Sequence, residues 1–171
     1  MATEAELAAV DAFLADEKGL EGEPPEFGPT NFVRNRQPEW AAIWPVHNSL
    51  GVVESGQLRF VPRGFGLFSI SLIYRAHMVA RIDFESPDVC HANPVWAGRL
   101  GLPPRVCGHH FHSWEHNRDH VLRSEQWTLS AREPLTPQVR RFDQALPWLA
   151  QRVNLVLSPE QRAFSLPLSL V

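Results

Sequence analysis

The chain reads as one α+β domain spanning residues 1–171: a mainly antiparallel β-sheet of four to six strands with an N-terminal and a C-terminal helix packed on it. Three observations carry this reading. Residues 57–84 hold runs of alternating apolar and polar residues joined by links too short for a crossover. Two capped amphipathic stretches, near 3–17 and 136–152, supply covers for the sheet. The length of 171 residues suits one domain, which can bury about two-thirds of its unfolded surface.

The N-terminal helix is expected from Thr3 as N-cap and Glu6 as its capping-box partner. Leu7, Val10, Phe13 and Leu14 make its apolar stripe, and Gly19 ends it. EGEPPEFGPT follows as an acidic, Pro-rich connector. Strands are expected from residue 39 onward, in EWAAIWPV, QLRFVPR, GFGLFSISLIYR and HMVARIDF, with a turn between Asn48 and Gly51. In FSISLIYR, Phe68, Ile70 and Leu72 alternate with Ser69 and Ser71, and the short RAH link pairs this run with HMVARIDF as a hairpin. Residues 85–108 carry four prolines and three glycines, which forbid long regular elements. QWTLS is a further candidate strand. The second helix is placed over 136–152, with Thr136 as N-cap, Pro137 at its first turn, and a kink or early end at Pro147.

Composition narrows the class. With 44% hydrophobic, 20% charged and 10% aromatic residues, the chain is not a wholly disordered polymer, a collagen or a coiled coil. No apolar run approaches the roughly 20 residues of a membrane span. The acidic first residues lack the basic region of a secretory signal. Cys90 and Cys107 are the two cysteines. A cytoplasmic chain with free or metal-bound thiols is therefore expected. Residues 1–29 hold eight acids against Lys18, the single lysine, for a net −7, while residues 30–171 carry 15 arginines against 11 acids. An acidic strap thus precedes a mildly basic body rich in arginine, which suits bidentate contact with phosphate.

The chemistry concentrates in one segment. Six of the eight histidines, and both cysteines, lie between residues 90 and 120. If CGHHFHSW is a strand, His110, His112 and Trp114 share one face, and His109, Phe111 and Ser113 the other. A turn is expected after it, at Asn117 and Asp119. If the segment is helical, His109, His112, His116 and His120 form the stripe instead. In RIDF, Arg81 and Asp83 share a face opposite Ile82 and Phe84.

Two neighbouring imidazoles suit metal-independent RNA cleavage. One takes the proton of the 2′-hydroxyl, the other gives one to the departing 5′-oxygen, and a cation steadies the phosphate. His110 and His112 are the expected pair and Arg81 the cation, with Asp83 and His91 completing the catalytic set. Asn93, Trp114, Arg75, Tyr74 and His116 are the expected substrate contacts, the aromatic and arginine side chains suiting exposed bases. No cofactor is required by this scheme. The alternative is zinc on Cys90, His91, Cys107 and His109, although the adjacency of Cys90 and His91 departs from the usual ligand gaps. A non-catalytic module that binds nucleic acid or a protein is the other alternative.

The stretches YRAHMVARIDF, HANP, GHHFH and VRRFDQALPWL, all within residues 66–155, resemble the small histidine-rich toxins of bacterial toxin–antitoxin modules of the TumE-like kind. They also resemble related proteins with an H-x-N-P … G-x-H-x-H signature. This sequence departs from that pattern in the long WAGRLGLPPRVC loop and in the charged segment after His112. The resemblance implies an RNA-directed effector, a ribonuclease of toxin or antiviral defence type. It also implies RNA as partner and a cognate antitoxin or effector-complex protein as a second partner; no membrane is expected, because no apolar run is long enough to span one.

Overall fold

A computed structural model describes residues 2–34, 37–48 and 51–166. In chain order the elements are α1 (Glu4–Ala15), β1 (Lys18–Leu20), β2 (Gly28–Arg34), β3 (Gln37–Asn48), β4 (Gly51–Gly64), β5 (Leu67–Tyr74) and β6 (His77–Phe84). Then come β7 (Cys90–Ala92), a 3-10 turn (Val95–Leu100), β8 (Arg105–Cys107), β9 (His110–His112) and α2 (Trp114–Arg123). Last are β10 (Glu133–Pro134), α3 (Phe142–Arg152), β11 (Leu155–Val156) and α4 (Pro159–Arg162). The main sheet runs β10-β9-β6-β5-β4-β3-β1-β11, with β2 paired to β3. All its pairs are antiparallel except β1 with β11. The α+β reading therefore holds. β2–β6 supply the long strands, and the remaining members have two or three residues. The expected Asn48–Gly51 turn passes through residues 49–50, which lie outside the described residues.

The core explains why these elements form. Thr3 caps α1 through the reciprocal bond with Glu6, and the stripe of Leu7, Val10 and Phe13 is buried. Each of those side chains contributes about 1.5–3 kcal/mol by leaving water. They meet Ile70, Leu72 and Ile82 of the sheet and Leu146 and Leu149 of α3 in one cluster. Phe164 closes that cluster by packing on Phe27, Trp44, Phe60 and Phe142. Ser69 and Ser71 point the other way and are also buried, so β5 is covered on both faces.

Several expectations need correcting. The segment after His112 is a helix rather than a turn. Ser113 caps it by accepting from the His116 N–H, and Asn117 packs inside it with no exposure. Its sequence, WEHNRDHVLR, lacks an apolar stripe, so periodicity did not signal it. QWTLS does not form a strand, and β9 pairs with β10 instead. The second helix begins at Phe142. Thr136 to Val139 make a turn, closed by the Val139 N–H on the Thr136 carbonyl with Pro137 at its second position. Pro147 sits inside α3, which continues to Arg152.

Cys90 and Cys107 face each other across the β7–β8 ladder and are joined by a disulfide. This overturns the expectation of free or metal-bound thiols. It also removes the zinc set of Cys90, His91, Cys107 and His109, because sulfurs bonded to each other offer no thiolate. No helix among the described residues is long and apolar enough to cross a membrane.

Candidate functional site

Strand register builds the site. Asp83 of β6 lies opposite Ser69 of β5 on one side and His110 of β9 on the other. One row along, Arg81 lies between Ser71 and His112. Since side chains two apart share a face, Arg81, Asp83, His110 and His112 stand together. Phe111, between the two histidines, points into the core against Trp148.

These residues line a cleft of about 370 Å³ together with His91, Glu85 and the segment from Trp127 to Arg132. The five residues expected to be catalytic, Arg81, Asp83, His91, His110 and His112, therefore meet in one place. Asp83, His110 and His112 form its floor and are 2%, 2% and 6% exposed.

The two oxygens of Asp83 have different partners. Oδ1 accepts from Ser69 Oγ at 2.5 Å and from Arg81 Nε and Nη2 at 2.8 and 2.7 Å. Arg63 in turn donates to Ser69 Oγ at 2.9 Å. Oδ2 faces His110 Nε2 at 3.5 Å and His112 Nε2 at 3.4 Å. Burial works to raise the Asp83 pKa. Its neighbours His112, Arg81 and Ser69 outweigh that and hold the carboxyl well below the usual range. Asp83 is therefore an anion.

The imidazoles are fixed by their other nitrogens. His110 Nδ1 lies 2.8 Å from the Gly108 carbonyl and His112 Nδ1 2.6 Å from the Leu129 carbonyl. A carbonyl oxygen can only accept, so each Nδ1 carries a proton and donates it. Nε2 is then the ring atom that each histidine turns toward Asp83 and the cleft. Burial first, and then the neighbouring His112, pushes the His110 pKa down, against partial support from Gly108 and Asp83.

The cleft wall is held by side chains from elsewhere. Trp127 Nε1 donates to the Met78 carbonyl at 3.0 Å. Asn117 grips Ala131 through both its N–H and its carbonyl, at 2.7 and 3.0 Å. Arg132 reaches the cleft with its Nε buried and without a hydrogen-bond partner. On the opposite wall, His91 Nε2 and Glu85 Oε2 are 2.5 Å apart.

The residues expected to contact substrate stand elsewhere. Asn93 ties the 90–107 lobe to Arg132 rather than lining the cleft. Trp114 is buried, stacks on Trp127 and donates to Asp11 of α1 at 2.7 Å. Tyr74 stacks on Phe13 at 4.3 Å, and Arg75 lies over Tyr74 at the β5–β6 turn. Six residues of β6 separate that turn from Asp83, about 20 Å of strand. His116 lines a separate cavity of about 350 Å³ between α2 and the 3-10 turn, where Trp96 stacks on His120. His109 faces away from the cleft, stacked on Phe84 and accepting from the Glu85 N–H.

Sequence reasoning missed Ser69, Arg63, Glu85 and Arg132. The alternation in FSISLIYR placed Ser69 on the face opposite Phe68, which is its one local signal. Comparisons with protein families, with curated proteins and with solved structures return no match.

Proposed function

We propose that the protein is an RNA-directed effector of toxin or phage-defence type, an endoribonuclease that cuts phosphodiester bonds in this cleft. One observation carries the reading: two imidazoles, each fixed through Nδ1 on a backbone carbonyl, turn their Nε2 atoms into a single cleft edged by arginines. Arg81 and Arg132 line the cleft and offer the guanidinium donors that a phosphate needs. In the reaction the 2′-hydroxyl loses its proton and its oxygen attacks phosphorus. The bond to the 5′-oxygen breaks and that oxygen takes up a proton. The products are a cyclic phosphate and a 5′-hydroxyl. The agent that activates the hydroxyl is a separable question. In the metal-independent scheme one imidazole, neutral, takes the hydroxyl proton, and the other, protonated, gives the 5′-oxygen its proton. The alternative is a cation that they hold.

A second reading is a non-catalytic module that binds RNA or a protein such as a cognate antitoxin. The near-complete burial of both imidazoles favours it. Purified protein incubated with total RNA, with and without chelator, separates the two. Cleavage that falls roughly 10²–10⁴-fold in either His110→Ala or His112→Ala is the expected result. Intact RNA under every condition, with salt-sensitive binding retained, selects the module.

A further inference from the structure

We infer that Asp83, His110 and His112 are the ligands of a divalent transition-metal ion of the zinc class. The inference rests on this cleft being the functional site, and not on RNA being its substrate.

The argument is one of lone pairs. Both Nδ1 atoms donate to carbonyls, so Nε2 is the nitrogen whose lone pair each neutral imidazole offers to a metal ion. Both Nε2 atoms point at Asp83 Oδ2, which is an acceptor. Three electron-rich atoms thus converge in a buried place, an arrangement that costs free energy unless a positive species sits among them.

The separations indicate which species. At 3.4 and 3.5 Å, both contacts exceed the roughly 2.7–2.9 Å of a charge-assisted hydrogen bond. Nitrogen and oxygen ligands at about 2.0–2.1 Å from a tetrahedral ion stand about 3.3–3.4 Å apart along each edge. The three ligand atoms all lie within 4.8 Å of one another.

The surroundings match. A metal-bound histidine typically donates its other nitrogen to a carbonyl or carboxylate, which fixes the ring and its tautomer. Here both do. Asp83 is likewise held through Oδ1 by Ser69 and Arg81, which leaves Oδ2 for the ion. Two imidazoles and one carboxylate select a borderline transition metal over magnesium or calcium, which prefer oxygen. Three protein ligands leave the fourth position open toward the cleft.

A second ion on Glu85, His91 and His110, whose ligand atoms also lie within 4.8 Å of one another, does not fit. Glu85 and His91 are only 2.5 Å apart, a hydrogen-bond separation rather than a coordination edge, and the single free nitrogen of His110 already faces Asp83. Glu85 and His91 form a hydrogen-bonded pair on the cleft wall.

The test titrates Zn²⁺, and Co²⁺ as a spectroscopic probe, into chelator-treated full-length protein by calorimetry and visible absorption. One equivalent should bind, with cobalt bands of nitrogen and oxygen ligation and no thiolate charge-transfer band. Folded His110→Gln and His112→Gln should lose roughly 100-fold or more in affinity, beyond the 10–100-fold typical of outer-shell changes. His109→Gln and His120→Gln should bind like the parent. If the site variants fail to fold, nitrogen NMR of the parent decides: Zn²⁺ should shift Nε2 of His110 and His112. The inference is overturned by absence of saturable binding, by unweakened binding in the folded variants, or by unmoved Nε2 resonances. RNA cutting by stripped protein that binds no metal overturns it and leaves the proposed function standing. Metal binding without RNA cutting does the reverse.

Discussion

Asn93 holds the backbone of Arg132 with both polar atoms of its carboxamide. Its Oδ1 accepts from the Arg132 N–H at 2.9 Å, and its Nδ2 donates to the Arg132 and Pro103 carbonyls at 2.8 and 2.7 Å. Asn93→Ala removes three hydrogen bonds and leaves backbone groups unpaired. A loss of about 2–3 kcal/mol is expected, read by denaturant titration, with Arg132 released from the cleft wall. Asn93→Asp keeps the acceptor but turns a second oxygen on the Arg132 and Pro103 carbonyls, so it should be no more stable than Asn93→Ala. A variant as stable as the parent would show that this clamp contributes nothing.

The disulfide between Cys90 and Cys107 closes a loop of 17 residues. Closing a loop of that size stabilises by about 3 kcal/mol in the chain-entropy view. Cys90→Ser with Cys107→Ser should lower the melting temperature, and reductant should do the same to the parent and nothing to the variant. Identical melts with and without reductant for the parent would contradict this.

Lys18 gives a pH dependence of known sign. Its Nζ is buried at the end of α1 and donates to the carbonyls of Phe13, Leu14 and Asp16. Burial pushes its pKa from 10.5 down to about 8, with Asp16 opposing. Between pH 8 and 10.5 the unfolded chain holds a proton that the folded chain has shed. Stability from this group therefore rises with pH across that window, by at most about 3 kcal/mol, and is lowest below it. The unfolding free energy of Lys18→Met relative to the parent should change across pH 8–10.5. A constant difference would refute the assignment.

The β5–β6 turn places Arg75 and Ala76 at φ of 50° and 64°. Such a turn favours glycine, because a Cβ in the left-handed region costs about 1–2 kcal/mol. Ala76→Gly should raise stability by about 0.5–1 kcal/mol after the entropy of the freer unfolded chain is counted, measured by thermal melts. A lowered melting temperature would show that the methyl group packs usefully.

The part of the site that the sequence revealed lies on regular strands. Arg-x-Asp and His-x-His each carry their own period of two, and a three-residue link fixed the hairpin, so Arg81, Asp83, His110 and His112 were readable as sharing a side. The remainder depends on long-range packing. Arg132 is brought in by Asn93 across 39 positions of chain, and no local pattern encodes that. His116 and Trp114 were misplaced for a local reason: Ser113 caps a polar helix that begins at Trp114 and turns the two away from the strand face. The disulfide was hidden because two cysteines among Pro and Gly residues do not announce the ladder that joins them.

Lys18 pairs with Leu155 where β1 lies between β3 and β11. The one parallel strand pairing of the sheet thus joins positions separated by most of the chain. On a ribosome, the meander from β3 to β6 can assemble while later residues are still being made. β1 cannot gain its outer neighbour until residue 155 has left the exit tunnel, and such distant closure is slow because its loop entropy is spent before contacts repay it. The acidic first helix therefore waits beside an unfinished edge until residue 155 has been made. Slower translation between β6 and residue 155 should lengthen the time that this edge stays open.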